Sequence, residues 1–272
     1  MPKKSRNEVL KSNTTHAGLS ERILITGASG GLGEAIAHHY AAPGRTLLLW
    51  GRDQKRLAAV ADACLRAGAE VVTRSLDLTD SAAAIAAVEE QDDVAPINLA
   101  VFAAGLGDIR APDMLVEDAA LIVRLGLVNF VVPCAMAATL ASRMATRGQG
   151  RIALIGSAAA FHALPFAAAY AGSKAGLARF AQALRLGVEE YGVGITLVSP
   201  GFIDTAAGQK VPGPKPLLMQ PSHVAARIAK ATERGQAHLI LPWPFALLRL
   251  ADRLLPARLR DRLLLTLTPS AD

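Results

Sequence analysis

Seven short apolar runs recur along the chain, and each of them ends at a small or turn-forming residue. Runs rich in leucine, isoleucine and valine are typical of strands that are buried on both faces of a parallel sheet. Between the runs lie alanine- and leucine-rich stretches with helical periodicity. This alternation predicts one α/β domain with a doubly wound parallel sheet of seven strands. The predicted strands cover residues 22–26, 46–50, 71–77, 97–103, 152–155, 194–198 and 238–241.

Two segments flank the predicted α/β domain, which we place at residues 21–242. Residues 1–20 are polar and basic without an apolar stretch, so they predict a flexible basic arm and no secretory signal. Residues 243–272 place leucines at helical spacing with arginines opposite them, and Pro256 divides this tail into two amphipathic helices. Such helices suit a lid over a substrate cleft, a subunit interface or the surface of an anionic membrane. No run of about 18 apolar residues occurs, so no membrane-spanning helix is predicted.

Composition narrows the classes of partner. The 29 basic and 23 acidic residues give a formal net charge of +6, and the arginines are spread along the chain. This mild excess suits a membrane surface or a phosphorylated ligand, and an aromatic content of 4% argues against a nucleic-acid partner. The two cysteines have no paired spacing and the six histidines no metal-ligand spacing, so the sequence predicts a reducing cytoplasm and no metal site.

A glycine-rich turn, Gly27-Ala28-Ser29-Gly30-Gly31-Leu32-Gly33, joins the first predicted strand to a helix-forming run at 34–41. A strand, a glycine turn and a helix N-terminus together make an anion site, because small residues admit a pyrophosphate and free helix N–H groups point at it. An ordinary glycine-rich turn is the alternative. The residues expected to contact a dinucleotide here are Thr26, Gly27, Ser29, Gly31, Leu32 and Gly33.

The end of the second strand carries the expected selector between NAD(H) and NADP(H). An acidic residue about 20 residues beyond the glycines binds a free ribose 2′-hydroxyl, whereas an arginine accommodates a 2′-phosphate. The strand ends in Gly51-Arg52-Asp53, and we interpret Asp53 as the N-cap of the helix that follows. Arg52 therefore favours NADP(H) over NAD(H).

Other strand ends supply further expected cofactor contacts. Asp77 follows the third strand, where it is either a turn residue or a contact to the adenine amino group. Ala104 and Gly105 follow the fourth strand and form a small-residue break where a cofactor passes. The remaining expected contacts are Leu78, Pro200, Gly201, Ile203 and Thr205.

A serine, a tyrosine and a lysine mark the predicted catalytic site. Ser157 follows the fifth strand, at the sheet edge where ligands bind in open α/β folds. Tyr170 and Lys174 are spaced i and i+4, so a helix places the phenol and the ammonium group on one face. Together these groups predict proton transfer. Asn129, in an apolar helical stretch, is either a helix-bending residue bonded to neighbouring backbone or an amide that holds a water or a backbone group beside the active site.

Taken together, these residues resemble the classical short-chain dehydrogenase/reductase family from residue 22 to about residue 241. The resemblance rests on Thr26-Gly27-x-x-x-Gly31-x-Gly33, Asp77, Asn129, Ser157, Tyr170-x-x-x-Lys174 and Pro200-Gly201. It implies a Rossmann-type sheet, a nicotinamide cofactor and an Asn–Ser–Tyr–Lys catalytic tetrad. In such a tetrad Tyr170 and Lys174 also contact the cofactor.

The chain departs from the family pattern at two places. Where the family has Asn-Asn-Ala-Gly after the fourth strand, this chain has Phe102-Ala103-Ala104-Gly105, so hydrogen bonds at the centre of the sheet must be made otherwise. Leu241 runs into Pro242-Trp243-Pro244 and not into a glycine-rich tail, which argues against the family's common tetramer. A homodimer through the helical segments at 115–144 and 167–190 is predicted in its place.

The function predicted on this basis is that of an NADP(H)-dependent oxidoreductase, which transfers hydride between nicotinamide and a carbonyl or secondary alcohol. The apolar bias of the flap at 206–221 and of the loop at 158–169 favours a hydrophobic substrate, and a membrane-bound tail would suit a lipid-linked one. The implied location is the cytoplasm, with the tail at the inner face of the membrane. The alternative is a catalytically silent NADP(H)-binding regulator, against which the intact tetrad argues.

Overall fold

The computed structural model describes residues 20–111, 114–211 and 213–266. Apart from Ser20, the predicted basic arm lies outside the described residues, as do residues 267–272. The strands are β1 (Glu21–Thr26), β2 (Arg45–Gly51), β3 (Glu70–Ser75), β4 (Leu99–Phe102), β5 (Gly150–Ile155), β6 (Val193–Pro200) and β7 (His238–Leu241). The α-helices are α1 (Gly31–Tyr40), α2 (Gln54–Arg66), α3 (Ser81–Val94), α4 (Ala119–Gly126), α5 (Val132–Arg147), α6 (Ala168–Val188), α7 (Ala206–Gln209), α8 (Pro221–Glu233), α9 (Pro244–Leu254) and α10 (Ala257–Thr266).

The seven strands form one parallel sheet in the order β3-β2-β1-β4-β5-β6-β7. The strand order reverses between β1 and β4, so the crevice at their carboxyl ends is the expected ligand site. The prediction of a doubly wound, Rossmann-type sheet is confirmed. The third and fourth strands end earlier than predicted, because Asp77 closes a turn with Thr79 and Ala103 N–H turns back to the carbonyl of Val101.

Helices cover both faces of the sheet, which explains why the strand sequences are continuously apolar. Ile23 and Ile25 of β1 belong to a buried cluster with α1, α2 and α8, whereas Leu24 between them belongs to a cluster with α3, α5 and α6. Successive side chains of a strand point to opposite faces, so both faces need apolar residues. The sheet edge that carries the site is thereby held by packing on two sides.

The long apolar segment predicted to be helical from residue 115 begins later and is interrupted. α4 starts after Asp118, whose carboxylate caps the helix. A π-helical turn at Leu127–Val131 separates α4 from α5. The 29-residue helical segment Ala119–Arg147 contains an 18-residue window with a mean hydropathy of 2.0, so by length and composition alone it could cross a membrane, contrary to the prediction. Its packing against α3, α6 and β5 makes it a core helix of this domain.

The tail forms the two predicted amphipathic helices on either side of Pro256. α9 packs against β7 and against the 3₁₀ turn at Ala158–Phe161, so it lies next to the loop that follows Ser157. Leu264 of α10 is buried, which ties the second helix to the rest of the chain. The tail is therefore docked beside the edge of the sheet where the predicted site lies.

Candidate active site

The turn after β1 is packed so closely that only glycine fits at two of its positions. Gly27 has a φ of +72°, and a Cβ there would lie 2.8 Å from the backbone of Ala104. A Cβ on Gly33 would overlap the carbonyl oxygen of Gly27. The start of α1 is thereby drawn against the end of β1, with its free N–H groups at the head of the crevice.

A cleft of about 790 Å³ occupies this crevice, and its size suits a small-molecule ligand. Most of the predicted cofactor residues line it, namely Thr26, Gly27, Ser29, Gly31, Leu32, Gly33, Arg52, Asp77, Leu78, Ala104, Gly105, Ile203 and Thr205. Pro200 and Gly201 lie outside the lining of this cleft, and their contact with a cofactor stays a prediction. Gly201 donates its N–H to the carbonyl of Leu241, and the ring of Phe245 covers its other side.

Positive side chains line the cleft near the end of β2, and the sequence predicted one of them, Arg52. Arg56 crosses the glycine turn so closely that a Cβ on Gly30 would collide with its guanidinium group. Asp53 accepts from Arg56 N–H at 3.0 Å, which confirms Asp53 as the N-cap of α2. Arg56 lies in the first turn of α2, directly after the strand end that carries the predicted selector, and this position is the sequence signal that could have found it. Lys210, directly after α7, also lines the cleft without having been predicted.

Asp77 lines the cleft and closes the turn that follows β3. Its Oδ1 accepts from Thr79 N–H at 2.9 Å, and this hydrogen bond lowers the pKa of the carboxyl group. The interpretation as a turn residue is confirmed, and the adenine contact stays a prediction. Trp50 also lines the cleft, and its buried indole N–H has no partner within the described residues.

Ser157 and Tyr170 meet at the carboxyl edge of β5. Ser157 caps the 3₁₀ turn that follows the strand, and its Oγ accepts from Ala159 N–H at 3.1 Å. The Tyr170 hydroxyl is hydrogen-bonded to Ser157. Burial raises the pKa of Tyr170, and the hydrogen bond with Ser157 opposes that rise. The phenol is therefore protonated at neutral pH, as a proton donor must be.

Lys174 lies one helical turn beyond Tyr170, with its ammonium group buried. Nζ donates to the carbonyl oxygen of Ile155 at 2.9 Å, and burial lowers the pKa of the amine to about 8. A Cβ on Gly105 would lie 3.3 Å from both Lys174 Nζ and Asn129 Oδ1. The four tetrad residues do not line the cleft themselves. Gly105 lines the cleft and lies close to Lys174 and Asn129, so the tetrad adjoins the cleft at this glycine.

Asn129 lies in the π-helical turn and is buried. Its Oδ1 accepts from Leu106 N–H at 2.8 Å, and its Nδ2 donates to the Leu106 carbonyl at 2.9 Å and to Ser173 Oγ at 3.3 Å. The amide thus ties the loop after β4 to α6 and holds the backbone of Leu106, which lines the cleft. A water held by Asn129, and a catalytic role for it, stay predictions.

The loop after β4 is held without the two asparagines of the family pattern. Ala104 N–H donates to Thr26 Oγ1 at 3.2 Å, which joins this loop to the end of β1. The backbone of Leu106 is held on both its N–H and its carbonyl by Asn129. The central hydrogen bonds are therefore made by other residues, as the departure from the family pattern required.

Glu117 positions the helix that carries Tyr170 and was not predicted from the sequence. Its Oε2 accepts from Ala169 N–H at 2.7 Å, at the first turn of α6. The N-cap residue of α6, Ala167, has no side chain that could cap the helix. A helix that starts without a local cap needs an acceptor from elsewhere, which is the one sequence signal for such a partner.

A polar cluster joins β6, β7 and α9 behind the loop that follows Ser157. Ser199 Oγ lies 2.9 Å from His238 Nε2, and Arg249 Nη1 lies 3.3 Å from His238 Nδ1. The Arg249 guanidinium also stacks 5.4 Å from the centre of the Phe161 ring. Burial, with the charge of Arg249, lowers the pKa of His238 to about 4. This cluster fixes α9 against the loop beside the site.

The two cysteines and the potential metal ligands are not part of the proton-transfer site. Within residues 20–111, 114–211 and 213–266, no three His, Cys, Asp or Glu side chains group as a metal site. Cys64 and Cys134 are free and buried, and burial raises the pKa of their thiols to about 11 and about 12. Neither thiol is therefore a nucleophile at neutral pH.

Comparison with known proteins agrees with this geometry. The family model for short chain dehydrogenase matches residues 21–215. An uncharacterized oxidoreductase of Myxococcus xanthus is 32% identical over 242 residues, which cover 88% of this chain and 94% of that protein. The ketoacyl reductase HetN of Nostoc is 30% identical over 226 residues, which cover 80% and 77% of the two chains. A short-chain dehydrogenase from Sphingobium yanoikuyae, solved in complex with NADPH, superposes with a TM-score of 0.75 at 25% identity, covering 93% of this chain and 97% of that one.

Proposed function

Because the chain belongs to the short-chain dehydrogenase family, we propose that it is an NADP(H)-dependent oxidoreductase that interconverts a carbonyl and a secondary alcohol. The observation that carries this proposal is the pairing of Tyr170 with Ser157, one helical turn from a buried Lys174 that adjoins the cleft. A phenol, a hydroxyl and an ammonium group held at one sheet edge form a proton-transfer site.

The residues that line the cleft fit a nicotinamide dinucleotide. The glycine turn leaves room for a pyrophosphate at the N-terminus of α1, whose free N–H groups are the donors. When bound, the cofactor supplies or accepts the hydride. Arg52 and Arg56 support a preference for the 2′-phosphate of NADP(H) over NAD(H). The NADPH held by the Sphingobium dehydrogenase supports the same preference.

In the reductive direction, Tyr170 gives its proton to the carbonyl oxygen of the substrate. An ordinary tyrosine releases its proton near pH 10, and burial here raises that pKa further. The phenolate left after the transfer therefore needs stabilisation. The hydrogen bond with Ser157 and the positive charge of Lys174 supply it. In the oxidative direction the same phenolate takes the proton from the alcohol.

Ser157 and Asn129 contribute in different ways. Ser157 is within hydrogen-bond reach of the Tyr170 hydroxyl, so one substrate oxygen can contact both groups, which orients the carbonyl for reaction. Asn129 acts as a positioning residue, because its amide bonds to the backbone of Leu106 and to Ser173. Through these bonds it holds the loop after β4 and the helix of Tyr170 in register.

We propose a hydrophobic substrate, which a lipid-linked carbonyl compound would satisfy. The flap carries Leu217 and Leu218 with 52% and 40% of their surfaces exposed, where a buried substrate would cover them. A bridge between Ile203 and Met219 joins the flap to the end of β6 and so to the cleft lining. A relative named as a ketoacyl reductase supports a carbonyl as the reacting group.

We propose a homodimer formed through α4, α5 and α6. α4 and α6 carry apolar side chains with large exposed fractions, namely Ile122 at 47%, Val123 at 62% and Leu186 at 69%, and Val131 of the π-helical turn is 45% exposed. A second copy would cover such side chains. We also propose a reducing cytoplasm as the location, which two unpaired, buried thiols support.

The Tyr170→Phe variant tests the proposed reaction. NADPH oxidation is measured with a panel of hydrophobic ketones, beside NADPH affinity by fluorescence. We expect turnover to fall by about 10²-fold or more, because general acid catalysis is lost, while NADPH affinity stays within about twofold. Turnover that survives in this variant would remove Tyr170 from the mechanism. NADPH binding by the wild-type protein without turnover of any ketone or alcohol would favour the silent regulator.

A further inference from the structure

The outer face of the C-terminal helices carries a stripe of exposed apolar side chains. Leu247, Leu250 and Leu254 of α9 have 57%, 53% and 74% of their surfaces exposed. At about 100° per residue these three leucines fall within about 60° of one another around the helix. Trp243, directly before α9, continues the stripe with the same spacing and is 71% exposed.

The opposite face of α9 is used inside the fold. Phe245 packs on Gly201, and Arg249 contacts both Phe161 and His238. By the same helical geometry, these two α9 side chains point roughly opposite to the three leucines. α9 is therefore held in place by its inner face, and its apolar outer face is exposed and available to bind a partner.

α10 carries further exposed leucines and adds positive charge to the tail. Leu259 and Leu263 are 54% and 53% exposed and lie one turn apart. Arg258 and Arg262 are exposed beside them, again one turn apart, whereas Arg260 is paired with Asp261. The surface thus combines a leucine stripe with arginines that reach solvent.

We infer that α9 and α10 dock this protein on an anionic lipid surface. Leucine-rich amphipathic helices with arginines on the flank bind in the headgroup region, where lipid phosphates attract the positive charges. Trp243 suits the same depth, because tryptophan is enriched at the boundary between water and lipid. In a contact between two copies through this surface, both sides would carry the exposed Arg258 and Arg262, whereas lipid phosphates supply the opposite charge. The inference rests on the tail alone and is independent of the proposed reaction.

The two tryptophans of the chain provide a probe for this contact, because Trp50 is buried and Trp243 is exposed. The full-length protein is mixed with vesicles of phosphatidylcholine alone or of phosphatidylcholine with about 30% phosphatidylglycerol. We expect a blue shift of tryptophan emission, and quenching by brominated lipid, with the anionic vesicles. Both signals should disappear in Trp243→Phe, which retains Trp50. Signals of equal size in Trp243→Phe would overturn the inference.

Co-sedimentation with the same vesicles separates the contributions of apolar and charged residues. Leu247→Ser combined with Leu250→Ser should abolish binding, because these side chains supply the apolar contact. Arg258→Gln combined with Arg262→Gln should weaken binding about 25-fold, since each arginine near an anionic surface contributes about fivefold. Leu65→Ser on α2, at 51% exposure, is the matched control and should leave binding unchanged. Thermal unfolding and NADPH binding of each variant confirm that the domain is intact.

Three results would overturn the lipid contact. If the wild-type protein binds neither kind of vesicle, the tail does not contact lipid. If it binds neutral and anionic vesicles equally and the arginine substitutions have no effect, the tail does not recognise the charge of the lipid. If the wild-type protein is a larger oligomer in lipid-free solution and the Leu247→Ser, Leu250→Ser variant halves that mass, the surface is an interface between copies.

Discussion

The buried ammonium group of Lys174 gives the site a pH dependence that can be worked out from the structure. Burial lowers its pKa to about 8, whereas burial raises the pKa of Tyr170 and keeps the phenol protonated. Lys174 is therefore about 90% charged at pH 7 and about 10% charged at pH 9. If its charge stabilises the phenolate, carbonyl reduction should slow roughly tenfold between those values, with a midpoint near pH 8.

The assay is kcat/KM for ketone reduction across this range at saturating NADPH, beside an NMR titration of the labelled lysine side chain. Lys174→Arg is the matched control, because a guanidinium group keeps its charge throughout and should remove the midpoint. Lys174→Met should react at every pH as slowly as the wild type does at high pH. A wild-type rate that is flat across the range, or a midpoint near 8 that persists in Lys174→Met, would refute the reasoning.

Three further predictions concern the cleft, the core and the tail. Arg52→Ala with Arg56→Ala should weaken NADPH binding at least about 100-fold, because two charge-assisted hydrogen bonds of about 1.5–3 kcal/mol each are lost. NADH binding should change less than about threefold, and equal losses in calorimetry would contradict the 2′-phosphate assignment. Asp92→Ala should lower the free energy of unfolding in urea by about 2–4 kcal/mol, because the buried carboxylate pairs with Arg147 of α5. Asp92→Asn keeps a hydrogen-bond acceptor and should lower the free energy of unfolding by less than Asp92→Ala does. Equal decreases in the two variants would show that the hydrogen bonds of Asp92 are not the source of the effect. Phe245→Ala should raise KM for the ketone several-fold with kcat within about twofold, because the ring holds a strand end beside the site. Loss of kcat alone would contradict that role.

Features set by neighbouring residues could be predicted from the sequence. The glycine turn between Gly27 and Gly33 is one, because steric crowding there admits only glycine. Asp53 is another, since an N-cap bonds to the third residue of its own helix. The i and i+4 spacing of Tyr170 and Lys174 likewise placed both residues on one helix beside Ser157. The parallel α/β sheet followed from the alternation of buried strands and helices, whereas the order of its strands comes from the structure.

Features made by contacts between distant parts of the chain could not be predicted in this way. Glu117 caps α6 from 52 residues away, and no spacing along the chain reveals that pairing. Phe245 of the tail lies against Gly201, and no spacing along the chain indicates that contact. Asn129 was assigned two possible roles, and only the fold shows that its amide holds the loop after β4. In each case the deciding partner comes from another element.

The most direct test of the proposed reaction follows hydride from cofactor to substrate. NADPH that carries deuterium at the transferable position of nicotinamide is incubated with the protein and a hydrophobic ketone, and the product is examined by mass spectrometry. If Tyr170 protonates a carbonyl at this site, the wild type forms the secondary alcohol with deuterium on its carbinol carbon, and Tyr170→Phe forms about 1% of that amount or less. Absence of labelled alcohol from every ketone while NADPH remains bound, or full labelling by Tyr170→Phe, would contradict that assignment.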